Sequence, residues 1–126
     1  MRLLLDTAVL IYAVESPARL NKRVATALEN PENILELSSI SLSEIAIKSA
    51  LGKLRISADV TRQAVEDLDV RILPYTADHV LHLFQLPLHH NDPFDRQIIA
   101  QALIEEIPVI TPDEKFHLYK GLKVIW

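Results

Sequence analysis

Four acids in this 126-residue chain fall where a side chain can do chemistry. Asp6 ends the apolar run "RLLLD". Glu44 sits in "SLSEIAIKSALGKL", Asp95 in "HHNDPFDRQIIAQAL" and Asp113 in "ITPDEKF". Carboxylates gathered without cysteine form an all-oxygen ligand set, which hard divalent cations prefer; Mg²⁺ or Mn²⁺ is the natural occupant. Each acid also has a plainer use. Glu44 follows Ser41 by three, so "SLSE" reads as a capping box. Asp92 before Pro93 reads as a helix cap, with Asp95 as the acid of a similar box. Thr111 can cap a short turn opened by Pro112, leaving Asp113 in the positive field of its amino end. Asp6 can cap whatever helix follows the first strand. Asp95 resists this reading: it projects from the stripe of Ile98, Ile99, Ala102 and Leu103, which turns inward.

Strands and helices alternate along the chain. "RLLLD" (2–6) predicts a buried strand, followed by a helix toward Glu15. Leu20, Val24 and Leu28 recur at four-residue spacing, predicting a helix over 18–30 that Asn30-Pro31 stops. Next come a strand over 34–40, a helix over 43–54 with Gly52 at its carboxyl cap, and a helix over 57–68 capped by Ser57. A strand over 70–75, a helix over 76–86 capped by Thr76 and a long helix over 93–106 follow. "PVIT" (108–111), a helical turn in "PDEKFHLY" and a last strand over 122–126 complete the series. This alternation predicts an α/β fold, a three-layer α/β/α sandwich around a mostly parallel sheet of four to five strands, with right-handed crossovers. In such a sheet, strand-to-helix junctions lie at the carboxyl edge, where ligands bind. Asp6, Glu44, Asp95 and Asp113 all fall at junctions or helix amino ends, so they should converge. At an effective dielectric of about 20, one pair of carboxylates ~4 Å apart costs on the order of 4 kcal/mol. Such a site must take up protons, hold its acids apart or recruit a cation, and a divalent ion is the favoured answer.

Bulk composition bounds the rest. A chain of this length suggests one domain over 1–126, and 49% apolar residues can build a core. No apolar run is long enough to span a membrane. "MRLLLDTAVLIYAVESP" is interrupted by Asp6 and lacks a small-residue cleavage site, so no signal peptide is expected. The absence of cysteine excludes disulfides and thiolate metal sites and suits the cytoplasm. With 13 basic and 17 acidic residues, the net charge of −4 argues against a basic nucleic-acid coat protein. It leaves open an enzyme acting on nucleic acid. His79 and His82 have zinc-like helical spacing, but no third ligand is evident. His89 and His90 precede the acidic turn and read as solvated loop histidines at its mouth. Ile45, Ile47, Val80, Leu83 and Phe84 read as core. Ile11, Tyr12 and Val14 read either as core or as a surface for a second copy or a partner.

The blocks "LLLDT", "SLSEIAIKSALGKL", "HHNDPFDRQIIAQAL" and "ITPDEKF" together resemble the signature blocks of PIN-domain ribonucleases. The likeness is nearest to the VapC-like toxins of prokaryotic toxin–antitoxin pairs, and it runs from the first strand to the terminal "VIW". It implies a PIN-like fold and Mg²⁺-dependent (or Mn²⁺-dependent) hydrolysis of RNA phosphodiesters. Asp6, Glu44, Asp95 and Asp113 would be the catalytic and metal-binding acids, and Asp113 is the candidate general base. Asp92 would be an additional aspartate that caps or supports, and Thr111 matches a small hydroxyl residue two before the last acid. Lys48, Lys53, Arg55 and Arg96 are the cations available to the RNA backbone. Lys48, four after Glu44, equally suits an intrahelical ion pair, and Arg96 a structural or a rim role. The resemblance further implies a cognate small antitoxin and a homodimer. Ala8 and Asn91 depart from the family pattern, where His and a basic residue are common. Two alternatives compete. A PIN-like binding module that has lost catalysis is disfavoured by the presence of all four acids. A receiver-type phosphoacceptor would need an acidic pair after the first strand and a lysine closer to a late strand than Lys115.

Overall fold

β1 (Arg2–Leu5) places three leucines in a row after its arginine, a run that suits a strand covered on both faces. In the computed structural model, which describes residues 1–126, it is the middle strand of five. Helix α1 (Thr7–Glu15), a 3₁₀ turn (Pro17–Arg19) and α2 (Lys22–Glu29) lead to β2 (Ile34–Ser38). Helices α3 (Ser39–Ala50) and α4 (Ala58–Asp67) lead to β3 (Arg71–Leu73). Helices α5 (Ala77–His82) and α6 (Pro93–Glu105) lead to β4 (Val109–Ile110), and a 3₁₀ turn (Glu114–Leu118) leads to β5 (Val124–Ile125). The strands pair in the order β3-β2-β1-β4-β5, every pair parallel. No helix is long and apolar enough to cross a membrane.

Alternation along β1 sends its leucines to opposite faces. Leu3 and Leu5 join an apolar cluster with Val9, Val24, Leu37, Ile45 and Ala64, residues of α1 to α4 and β2. Leu4 joins a second cluster with Ile98, Ile99 and Ala102 of α6, Val109 of β4 and Phe116 of the last 3₁₀ turn. Helices therefore cover both faces, giving the expected three-layer α/β/α sandwich. The register then fixes what lies at the sheet edge. Leu5 is level with Leu37 and Ile110, so Asp6, Ser38 and Thr111 leave the sheet side by side.

Several boundaries differ from the sequence expectation, each for a local reason. Helix α3 begins at Ser39 rather than residue 43, because Ser38 caps it by accepting the Ile40 amide at 3.0 Å. The Ser41–Glu44 capping box therefore does not form; Ser41 is buried and accepts the Thr7 hydroxyl at 2.8 Å. The helix expected over 18–30 is interrupted, since Asn21 accepts the Val24 amide at 2.9 Å and starts α2 afresh. Helix α3 ends at Ala50 with Leu51, not Gly52, as its carboxyl cap, and Gly52 follows with φ of 74°, a left-handed conformation that glycine adopts without strain. Helix α5 stops at His82 rather than at 86. Phe84 leaves the apolar face and is 86% exposed, and Val80 and Ile47 are also exposed, so these three are not core residues.

At the amino edge of the sheet, Arg2 binds Glu36 at 2.9 Å and Glu105 at 3.3 Å. His79 adds its Nε2 to Glu105 at 3.3 Å, while its Nδ1 accepts the Thr76 amide at 2.9 Å. Nδ1 of this buried histidine thus closes the start of α5 and Nε2 reaches the end of α6, so His79 has no free nitrogen to bring to a zinc-like pair with His82.

Candidate metal centre

At the carboxyl edge, the acids are presented one by one. Asp6 leaves β1 in an extended conformation and makes no side-chain bond that caps α1. Its Oδ2 accepts the Thr111 hydroxyl at 2.7 Å. Thr111 Oγ1 also accepts the Asp113 amide at 3.0 Å, so one hydroxyl joins the first acid to the last. The cap of the last 3₁₀ turn is Asp113, not Thr111: its Oδ1 accepts the Lys115 amide at 2.9 Å. Glu44, relieved of capping, is buried on α3. One of its oxygens pairs with the Lys48 ammonium a turn later, and the other, Oε1, is buried without a partner. On α6, Asp92 is the cap, accepting the Phe94 and Asp95 amides at 2.9 and 3.0 Å. That frees the Asp95 carboxylate, whose Oδ2 lies 3.0 Å from Nε2 of His90.

Asp6, Glu44, Asp95 and Asp113 line a single cleft of about 410 Å³, joined by Asp92 and Lys48. A larger cavity of about 630 Å³ lies between α1 and α2, by Leu20, Leu28 and Leu35, away from all four acids. Crowding leaves its mark on the acids. Burial pushes Asp95 up to about 8, and the charges of Asp6, Asp92, Glu44 and Asp113 push the same way. Burial also lifts Asp6 to about 6, with Glu44 and Asp113 adding to the rise while the Thr111 hydroxyl and Thr7 amide oppose it. The Lys48 ammonium is held above its ordinary value by Glu44 foremost, after which Asp92 and Asp95 contribute. Two acids driven toward proton uptake, an unpartnered buried oxygen on a third, and an all-oxygen set of carboxylates fit a hard divalent cation.

The family model of the PIN domain matches residues 3–122. The chain belongs to the PIN-domain family. A sequence search of curated proteins finds no match. Solved structures share the PIN fold over nearly the whole chain. One is VapBC2 from Rickettsia felis bound to a DNA fragment from its promoter, with TM-score 0.72 and 20% identity, covering 99% of this chain and 98% of that one. Another is DNA-bound VapBC from Salmonella typhimurium, with TM-score 0.71 and 17% identity, covering 99% and 97%. A third is VapBC-5 from Mycobacterium tuberculosis, a member of the VapBC family of toxin–antitoxin systems, with TM-score 0.61 and 20% identity, covering 98% and 97%.

Not every cation singled out in the sequence reaches the cleft of this PIN domain. Lys48 does, as the partner of Glu44. Lys53 and Arg55 are exposed on the segment after α3 and do not line it. Arg96 takes the structural of its two expected roles: its guanidinium donates to the carbonyls of Leu86, Pro87 and His90 at 3.3, 3.0 and 3.3 Å, clasping the loop before α6. His89 is exposed, as expected of a loop histidine, and does not line the cleft. His90 is not solvated. It is 5% exposed, with Nε2 2.7 Å from Asp113 Oδ2 and 3.0 Å from Asp95 Oδ2. The one signal for it in the sequence is its adjacency to the cap of α6, which does not distinguish it from His89.

Proposed function

We propose that this PIN domain is a Mg²⁺-dependent endoribonuclease that hydrolyses RNA phosphodiester bonds, with Asp6, Glu44, Asp95 and Asp113 as its metal-binding acids. The observation that carries the reading is the meeting of four carboxylates, from four separate segments, in one partly buried cleft. Burial first, and then the neighbouring carboxylates, lift Asp6 and Asp95 toward protonation, and a divalent ion is the occupant that offsets this. When bound, Mg²⁺ supplies Lewis-acid activation of water and neutralises charge on the phosphate oxygens. The chain's own groups do the rest. Thr111 fixes the Asp6 carboxylate, and Asp92, as cap, turns Asp95 into the cleft. Lys48 stands at the rim beside Glu44, where an ammonium favours a phosphate. Asp113 is the more open carboxylate, its side chain 32% exposed against 18% for Asp95 and 7% for Glu44. It is the group to take the proton from the attacking water.

The biological reading is a cytoplasmic toxin held silent by a cognate small antitoxin and acting as a homodimer. It is supported by the four-block resemblance to VapC-like toxins and by a fold shared with VapBC assemblies. The exposed apolar side chains of Leu81, Phe84 and Leu88 supply surface for such contacts. The test is cleavage of total RNA by the purified chain with Mg²⁺ or with chelator, beside Asp6→Asn and Asp95→Asn. Loss of about 100-fold or more in both variants is expected, since even residues that only support a metal site cost 10- to 100-fold. Undiminished cleavage by both variants overturns the reading.

A further inference from the structure

His90 is the one titratable side chain in contact with these acids to which the proposed reaction gives no task. Its place is nonetheless determined on every side. The backbone N–H donates to the Tyr119 hydroxyl at 2.8 Å, the carbonyl accepts Arg96 at 3.3 Å, and the ring meets Phe116 edge-on with centroids 5.9 Å apart. Nδ1 accepts the Asp92 amide at 3.1 Å. A ring nitrogen that accepts an N–H is bare, so in the neutral ring the hydrogen is on Nε2. That N–H donates to Asp113 Oδ2 at 2.7 Å, and Asp95 Oδ2 lies 3.0 Å from the same nitrogen without accepting a hydrogen bond from it.

This assignment bears on what the ring can do toward a cation. His90, Asp95 and Asp113 offer atoms within 4.8 Å of one another, a spacing that could suggest a three-ligand site. A nitrogen that carries hydrogen has no lone pair for a metal. To ligate through Nε2, the ring would have to shift its proton to Nδ1, which would lose the Asp92 bond and set two N–H groups against each other. We infer that His90 is a positioning residue outside the coordination shell, whose Nε2–H holds Asp113, on the last 3₁₀ turn, against the start of α6 beside Asp95, so that the two carboxylates face the ion in a fixed arrangement. The inference rests on the metal reading of the cleft. Asp113 is held otherwise by bonds within its own turn, to Lys115 and Thr111, and His90 is its link to the opposite wall.

The test is read without RNA. Mn²⁺ is titrated calorimetrically into the full chain and into His90→Leu and His90→Gln, since the glutamine amide can present an N–H near the place of Nε2. His90→Leu should bind Mn²⁺ about 10- to 100-fold more weakly, and His90→Gln should recover most of the affinity. Pulsed electron resonance of the Mn²⁺-loaded native chain should detect no directly bonded nitrogen. Nitrogen resonance of the metal-free native chain should find Nδ1 bare and Nε2 protonated, a reading that stands even if a variant fails to fold. A nitrogen bonded to manganese, a proton on Nδ1, or unchanged Mn²⁺ affinity in folded His90→Leu would overturn the inference. A native chain that binds Mn²⁺ but leaves RNA intact sinks the nuclease reading and leaves the role of His90 standing. A native chain that binds no Mn²⁺ overturns both.

Discussion

Asp95 is pushed further from its ordinary value than Asp6, by burial first and then by the charges of its neighbours. Its folded value of about 8, like the value of about 6 at Asp6, lies above the 3.8 of an unfolded aspartate. The folded chain therefore holds more protons than the unfolded chain between about pH 4 and about pH 8, and stability must fall as pH rises through that window. This contribution is whole below the unfolded value and gone above the folded one. The groups that face Asp95 are Asp6, Asp92, Glu44, Asp113 and His90, with Lys48 as the nearby cation. Metal-free protein should melt at a lower temperature near pH 8 than near pH 5, and saturating Mn²⁺ should flatten the decline, because the ion displaces the protons. Melting curves in chelator and in Mn²⁺ check this; a metal-free melting temperature that rises across the window contradicts it. At this scale Asp6, Asp95 and Asp113 were legible, because each follows a strand or opens a helix. Glu44, by contrast, was singled out by a capping box that does not form, and it lies in the second turn of α3. His90 was not legible. Its burial depends on Phe116 and Tyr119, and its bond to Asp113 joins residues 23 apart, a packing that neighbours in sequence do not encode.

Among the elements, α6 separates a capping acid from a facing acid within one turn. Asp92 supports the helix through two amides, so Asp92→Ala should cost about 1 kcal/mol of stability, while Asp92→Ser should retain most of it. Asp95→Asn removes no cap and relieves repulsion, so the metal-free chain should be at least as stable at neutral pH while its Mn²⁺ binding is lost. Urea unfolding beside calorimetry separates the two, and a large loss of stability in Asp95→Asn would contradict the division. The order and type of the elements followed from periodicity and turn residues. Their ends did not, because each competing cap is a single polar atom. Ser38, not Ser41, starts α3, and that shift is what leaves Glu44 free to face the cleft. Asn21 likewise divides a stretch whose apolar spacing alone reads as one helix.

In the molecule as a whole, the cleft is held at the edge of a sheet whose central strand is buried on both faces. Leu4 is fully buried against α6, and Leu3 and Leu5 against the helices of the other layer. Leu4→Ala should therefore cost about 2–5 kcal/mol, depending on how far the surrounding side chains collapse into the space. Chemical denaturation measures it, and a cost below about 1 kcal/mol would mean that β1 is not the packed centre described. The layered architecture was legible because a leucine run flanked by amphipathic helices has few other solutions. The strand order was not, since short strands carry no mark of their neighbours. That order has a consequence for the making of the protein. The bond that steadies Asp6 comes from a residue 105 positions later, and β4, which delivers it, pairs directly with β1. A polypeptide emerging amino end first lacks that bond until Thr111 has been made and β4 has joined β1. The four carboxylates therefore come together as one cleft late in the growth of the chain, when the segment carrying Thr111 and Asp113 docks on strands already made.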